Sequence, residues 1–96
     1  MPTVRIPSPL RGLTGGAPTV EAPAGELRDV IHALDAAHPG LAARILDGDG
    51  ELRPFVHVFV GDTDVRSAAG LATRVGGRDV VAIVPAVAGG GSSDRP

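Results

Sequence analysis

The chain has 96 residues, of which 43% are hydrophobic, with a formal net charge of −2 and no cysteine. This length suffices for one domain with a modest core, which must be built from aliphatic residues because aromatic residues make up only 2% of the chain. The charge argues against a protein held on nucleic acid by phosphate contacts. The lack of cysteine excludes disulfides, thiolate metal sites and a cysteine nucleophile. Without a membrane-length apolar run or a signal-peptide pattern, we expect a cytoplasmic protein that does not enter membranes.

The first half of the chain predicts a hairpin followed by a helix. Apolar alternation and turn residues predict a strand, a glycine-rich loop and a second strand over residues 3–7, 10–17 and 18–22. An amphipathic helix follows, with Gly25 as its N-cap and a stop at Pro39-Gly40. Its apolar stripe has the spacing i, i+3, i+4 and i+7 and consists of Leu27, Val30, Ile31 and Leu34.

The second half predicts a short helical turn at residues 41–46 and a strand at 55–60, then a brief strand or bridge at 64–66 and a last strand at 79–84. Strands grouped around one main helix indicate an α+β domain with a mixed sheet of four to five strands. We expect the first and last strands to be parallel neighbours. Residues 1–88 would form the domain, and residues 89–96 a flexible tail.

The strand at residues 55–60 leaves its orientation open. Val56, Val58 and Val60 face one way, and Phe55, His57 and Phe59 face the other. If the valines form the core, both phenylalanines lie on the open face of the sheet, where exposed aromatic residues usually mark an interface. The opposite assignment puts the phenylalanines in the core. Arg66 and Arg74 either flank a partner groove or are ordinary surface arginines.

Metal ligation has little support in the sequence. Asp47-Gly-Asp-Gly-Glu51 superficially looks like a calcium loop, but Leu52 stands where such a loop needs glycine. A solvated turn is therefore expected there. The three histidines are too widely spaced along the chain to suggest a metal cluster. We expect no metal site and no intrinsic cofactor.

The C-terminal stretch from Asp79 to Gly90 is the most informative part of the sequence. A β-branched strand passes Pro85, which lacks a backbone donor, and continues through Val87 and Ala88 to Gly89-Gly90. Glycine has no Cβ, so such a segment can enter a narrow cleft. Paired glycines at a terminus are in isolation often just mobile; their position after this strand favours a functional role.

The ending from Gly76 to Gly90 resembles that of the ubiquitin-like sulfur carriers, which include the small subunit of molybdopterin synthase and the thiamin-biosynthesis carrier. It is most similar to the actinobacterial cysteine-biosynthesis carriers. Val60-Gly-Asp-Thr-Asp-Val-Arg66, Gly70-Leu-Ala-Thr73 and the opening strand add weaker support. The resemblance spans about residues 3–90 and implies a β-grasp fold.

The resemblance also implies a chemistry at the terminal glycine, which corresponds to Gly90. An activating enzyme of the ubiquitin-activating type would use ATP to adenylate its carboxylate, which is then converted to a thiocarboxylate. The recipient would be a sulfhydrylase or a thiosugar synthase. Six residues follow Gly90, so the resemblance implies that a zinc metalloprotease of the JAMM type removes residues 91–96. Gly91 leaves the cut open by one residue, and the alignment favours Gly90.

Three functions remain in competition at this point. The chain is a sulfur carrier, which is a protein cosubstrate rather than an enzyme, or a ubiquitin-like modifier conjugated through the same glycine, or a β-grasp interaction module without chemistry. For the carrier, we expect the partner surface to include Phe59 with Phe55, His57 and Arg66, and the segment Pro85, Val87, Ala88, Gly89 and Gly90.

Overall fold

The computed structural model describes residues 1–85, which form a mixed five-stranded sheet with its main helix on one face. The sheet order is β2-β1-β7-β4-β5, with β3 and β6 forming a separate two-stranded ribbon. The strands comprise β1 (Thr3–Arg5), β2 (Thr19–Glu21), β3 (Gly25–Glu26), β4 (Val56–Val60), β5 (Thr63–Asp64), β6 (Arg74–Val75) and β7 (Val80–Pro85). The helices are α1 (Leu27–Ala37) and α2 (Leu41–Ile45), with short 3₁₀ helices at Ser8–Thr14, Val65–Ser67 and Gly70–Ala72. This is the expected α+β, β-grasp architecture.

The sheet centres on β7, the last strand among residues 1–85. It pairs in parallel with β1 and antiparallel with β4, so the first and last strands are neighbours as expected. A strand paired on both edges is a fixed element, because its backbone groups bond on two sides. The chain therefore leaves the described domain from the middle of the sheet.

Helix α1 buries the predicted stripe. Leu27, Val30, Ile31 and Leu34 are all at most 2% exposed. They share one core cluster with sheet residues such as Val58 and Val81. Burying aliphatic side chains of this size contributes roughly 1.5–3 kcal/mol each relative to leaving them exposed. The core is thus aliphatic, as the composition required.

Local differences from the sequence expectations occur where chain ends and turns form. Glu26, not Gly25, is the N-cap of α1, because Glu26 is already extended and pairs with Arg74 in the small ribbon. The region expected to be a glycine-rich loop contains the 3₁₀ helix Ser8–Thr14, which Gly15 ends in the left-handed conformation with φ 66°. Helix α1 does end at His38-Pro39-Gly40, as predicted.

Candidate partner-binding surface and C-terminal segment

Strand β7 carries Pro85 at its end, beside strand β4. Val56 lies opposite Pro85 in the antiparallel register, and His57 lies opposite Val84. Proline is compatible with this position because a strand end does not require every backbone donor. Pro85 is the last residue described. The predicted site residues Val87, Ala88, Gly89 and Gly90 lie outside the described residues, so their roles stay predictions.

The open assignment of strand β4 is decided by burial. Val56 and Val58 are 2% and 1% exposed and belong to the core. His57 and Phe59 are half-buried and alternate with these valines, so they lie on the face away from α1. Phe59 lies directly opposite Ala82 of β7. The valines therefore fill the core, and the open face carries Phe59.

An apolar patch covers the middle of this open face. It consists of Phe59, Val80, Ala82 and Val84, which we call the open-face patch. Val80 and Val84 are 43% and 45% exposed, and both share the face of Ala82 because side chains alternate along a strand. Large exposed aliphatic side chains grouped around an aromatic ring are typical of an interaction surface.

Sequence reasoning missed Val80, Ala82 and Val84 as members of this patch. Residues 80–84 are all apolar, so their period-2 pattern cannot separate the buried from the open face. The signal lies in the register instead, since Val81 and Ile83 are buried opposite Val60 and Val58.

Phe55 departs from the prediction that it shares a face with Phe59. It lies in the turn before β4, not in the strand, and is 52% exposed. Its ring lines a groove with Leu10, Ala43 and Pro85, on the helix side of the sheet. The strand begins one residue later than predicted, so alternation no longer dictates where Phe55 points.

His57 is joined to Arg66 and Asp64 in a small polar cluster. Its Nδ1 lies 3.6 Å from Asp64 Oδ2 and 3.3 Å from Arg66 Nη1. Arg66 Nη2 also donates to the carbonyl of Arg53, and its backbone N–H donates to Asp64 Oδ1 over 2.9 Å. Arg66 is therefore held in place beside the open-face patch, although nine residues separate it from His57 in sequence.

In the acidic loop that superficially looks like a calcium site, the first carboxylate binds backbone groups of the loop itself. Asp47 Oδ1 accepts hydrogen bonds from the backbone N–H groups of Asp49 and Glu51, over 2.8 and 3.1 Å. This is a side-chain-stabilised turn. Within residues 1–85, no three histidine, aspartate or glutamate side chains are grouped so that they could hold a metal ion. Over the same residues, no helix has the length and apolarity needed to cross a bilayer.

A family model described as the ThiS family matches residues 4–90. The chain belongs to the ThiS family. The match includes every strand of the sheet except the first residue of β1, and it ends at Gly90, the residue that the sequence predicts as the functional terminus.

Similar proteins agree with this family assignment. The chain is 46% identical to the sulfur carrier protein CysO of Mycobacterium tuberculosis, over 92% of this chain and 97% of that protein. It superposes on a chain of the BexX/CysO complex of Amycolatopsis orientalis with a TM-score of 0.88 and 40% identity, covering 94% of this chain and all of the other. It is also 40% identical to small archaeal modifier protein 3 of Haloferax volcanii, over 65% of this chain and 66% of that protein. These similarities confirm the ubiquitin-like β-grasp fold and the resemblance to the sulfur carriers.

Proposed function

We propose that this ThiS-family chain is a sulfur carrier whose Gly90, after removal of residues 91–96, carries sulfur as a thiocarboxylate. The observation that carries the proposal is the family match that spans the domain and stops at Gly90. The name of the M. tuberculosis relative, a sulfur carrier protein, supports the same role. The chain acts as a protein cosubstrate, with no cofactor of its own.

The chemistry has three steps with separate partners. Hydrolysis of the Gly90–Gly91 peptide bond by a zinc metalloprotease of the JAMM type consumes one water, giving a Gly90 carboxylate and a free Gly91 amine. A ubiquitin-activating-type enzyme then joins this carboxylate to the α-phosphate of ATP, releasing pyrophosphate and forming an acyl-adenylate. Sulfide attacks the acyl carbon, the bond to AMP breaks, and the products are the thiocarboxylate and AMP. Adenylation is needed because a carboxylate is itself a poor electrophile.

The sequence suits these steps because Gly89 and Gly90 lack side chains. A Cβ at either position would widen the segment where it must enter a closed site. The thiocarboxylate is an anionic nucleophile, and a water-excluding partner pocket would protect it until it attacks an electrophilic substrate. Strand β7 holds Pro85, from which the C-terminal segment continues, in the middle of the sheet. This fixed starting point favours delivery of the segment to a partner's site.

The sulfur-accepting partner is a separate enzyme. The solved BexX/CysO complex shows that a structural neighbour of this chain binds another protein. We propose cysteine synthesis through a pyridoxal-phosphate sulfhydrylase as the first pathway, since the similarity to CysO is high. An enzyme of the thiosugar synthase type is the second candidate for the recipient.

The experiment compares residues 1–96 with residues 1–90, each incubated with the organism's adenylating enzyme, ATP and sulfide. Intact mass should show the oxygen-to-sulfur difference only for residues 1–90. The Gly90→Val variant of residues 1–90 should show no gain. Conversion of the 96-residue chain with its tail still attached would refute the processing step.

A second candidate function is protein modification, favoured by the similarity to small archaeal modifier protein 3. In that case the same acyl-adenylate would react with a lysine amine on a target protein, forming an isopeptide bond and AMP. The chain has no lysine of its own, so it could donate such a link but could not accept one on a side chain. Adducts of higher mass in the host lysate, dependent on Gly90, would favour this function over sulfur transfer.

A further inference from the structure

Two grooves flank the last residues of strand β7, where the chain leaves the sheet. The helix-side groove, of about 520 Å³, is lined by Arg44, Arg53, Phe55 and Pro85 among others. The strand-side groove, of about 320 Å³, lies across β7 and is lined by residues that include Arg5, Arg11 and Val84. The exit of the C-terminal segment therefore lies between the two grooves.

The grooves differ in charge from the rest of the chain. Arg5, Arg11, Arg44 and Arg53 are four of the nine arginines, and no aspartate or glutamate lines either groove. Among residues 1–85, no carboxylate lies within 4.0 Å of these four guanidinium groups. A chain with a net charge of −2 thus places four arginines without a paired carboxylate, as far as residues 1–85 show, beside the C-terminal half of its central strand. We call these four residues the basic collar.

Side-chain hydrogen bonds hold two of the four collar arginines, Arg11 and Arg53. Arg11 Nε donates to the Ile6 carbonyl and Arg53 Nε to the Ala43 carbonyl, each over 3.0 Å. Each guanidinium is thereby anchored while its remaining N–H groups and its charge stay available. Arg5 and Arg44 are exposed and make no side-chain hydrogen bond within residues 1–85. Arg11 and Arg53 therefore lose little freedom when a partner arrives, which favours specific binding.

We propose that the basic collar docks onto an acidic rim around the partner-enzyme site that receives the C-terminal segment. This inference rests on the proposed function, because it assumes that the segment enters a partner. Positive charge in grooves on both sides of the last residues of β7 would steer the segment toward a negatively bordered opening and set its orientation, since complementary charge mainly raises association rates and specificity. The negative net charge disfavours nucleic acid as the occupant.

The chain supplies a matched control for a charge-reversal test. Arg5→Glu with Arg44→Glu removes two collar charges without breaking a side-chain hydrogen bond within residues 1–85. Arg28→Glu with Arg78→Glu makes the same change in net charge on α1 and in the turn before β7, outside both grooves. Arg5 pairs with Ala82, so it lies four residues, or roughly 13 Å at about 3.3 Å per residue, along the sheet from Arg78. That distance exceeds the Debye length of about 10 Å at 0.1 M salt.

Association of the 96-residue chain with BexX of A. orientalis is then followed by stopped flow from low to moderate salt. We expect the collar variant to associate at least about threefold more slowly at about 0.1 M salt, where the Debye length is about 10 Å, and to lose most of its salt dependence. The control variant should stay within about twofold of the unmodified chain. Equal slowing of both variants, or no slowing of either, would overturn the proposal. Far-UV circular dichroism checks that all three proteins are folded.

A second measurement does not depend on any one enzyme. Titration of the ¹⁵N-labelled full chain with hexaglutamate at low salt should shift the Nε–Hε signals of the four collar arginines. Shifts of equal size at Arg28, Arg74 and Arg78 would show general charge attraction and contradict a defined collar. A concentration-dependent rise in the sedimentation coefficient that the collar variant abolishes would mean that the collar binds a second copy of this chain, which also overturns the proposal.

Sulfur loading distinguishes failure of the collar from failure of the proposed function. At saturating adenylating enzyme and long incubation, residues 1–90 carrying the collar variant should still gain the oxygen-to-sulfur mass difference. If no form gains sulfur, the proposed function fails, even where charge-selective binding remains. If loading is normal and association is insensitive to the collar, only the collar proposal fails.

Discussion

Neighbouring residues Val58 and Phe59 provide a direct test of the two sheet faces. Val58 is 1% exposed in the core, and Phe59 is half-buried on the open face. We predict that Phe59→Ala weakens partner binding more than folding, and that Val58→Ala does the reverse. Both variants delete apolar atoms from the same strand, so the contrast between them isolates the face on which the atoms lie.

The magnitudes follow from burial. Removing a fully buried phenylalanine side chain costs about 3–5 kcal/mol. Phe59 lies on the open face and is partly accessible to water. Phe59→Ala should therefore lower the free energy of unfolding by a smaller amount, roughly 1–2 kcal/mol. Val58→Ala deletes two buried methyl groups and leaves a cavity, at about 2–3 kcal/mol. In partner binding we expect Phe59→Ala to cost more than about 2 kcal/mol, which is roughly thirtyfold in Kd.

The chain has no tryptophan or tyrosine whose fluorescence could report unfolding. Urea unfolding followed by far-UV circular dichroism gives the free energies of unfolding, and calorimetric titration of the adenylating enzyme with each folded variant gives Kd. Equal midpoints and slopes in urea for the two variants would refute the assignment of faces. Unchanged binding by Phe59→Ala would remove the open-face patch from the partner surface.

Three further predictions concern the terminal glycine and the connection between the helices. Gly90→Val in residues 1–90 should abolish sulfur loading by intact mass without changing the thermal midpoint, and retained loading would contradict the steric argument. Asp35 Oδ1 accepts hydrogen bonds from the backbone N–H groups of Gly40 and Ala42 over 3.0 and 3.1 Å. Asp35→Ala should therefore lower the free energy of unfolding, measured in urea, by about 1–2 kcal/mol. A change below about 0.5 kcal/mol would mean that these hydrogen bonds contribute little. Gly40 has φ +103°, so Gly40→Ala should cost about 1–3 kcal/mol, whereas Gly12→Ala, with no atom within 4 Å of its added Cβ, should change stability by less than 1 kcal/mol.

Much of the fold was predictable because its signals are local. The stripe of α1 depends on spacing within one helix, and the turn at Pro39-Gly40 depends on backbone geometry at those residues. The predicted helix and the main strands are therefore present with shifts of a residue or two. The predicted N-cap of α1, Gly25, was wrong because the start of the helix depends on pairing between Glu26 and Arg74, which are far apart in sequence.

The features of the candidate site also separate into those with a local signal in the sequence and those that depend on contacts between distant residues. The sequence by itself determined the glycine pair, the strand that leads toward it and the family resemblance, because these features are contiguous in the chain. Only the tertiary structure decided that Phe59 lies on the open face while Phe55 lines the helix-side groove, and that arginines far apart in sequence line the two grooves beside β7. Alternation states that two faces differ but not which is buried, since burial is set by the register with neighbouring strands and by the helix packed on one side.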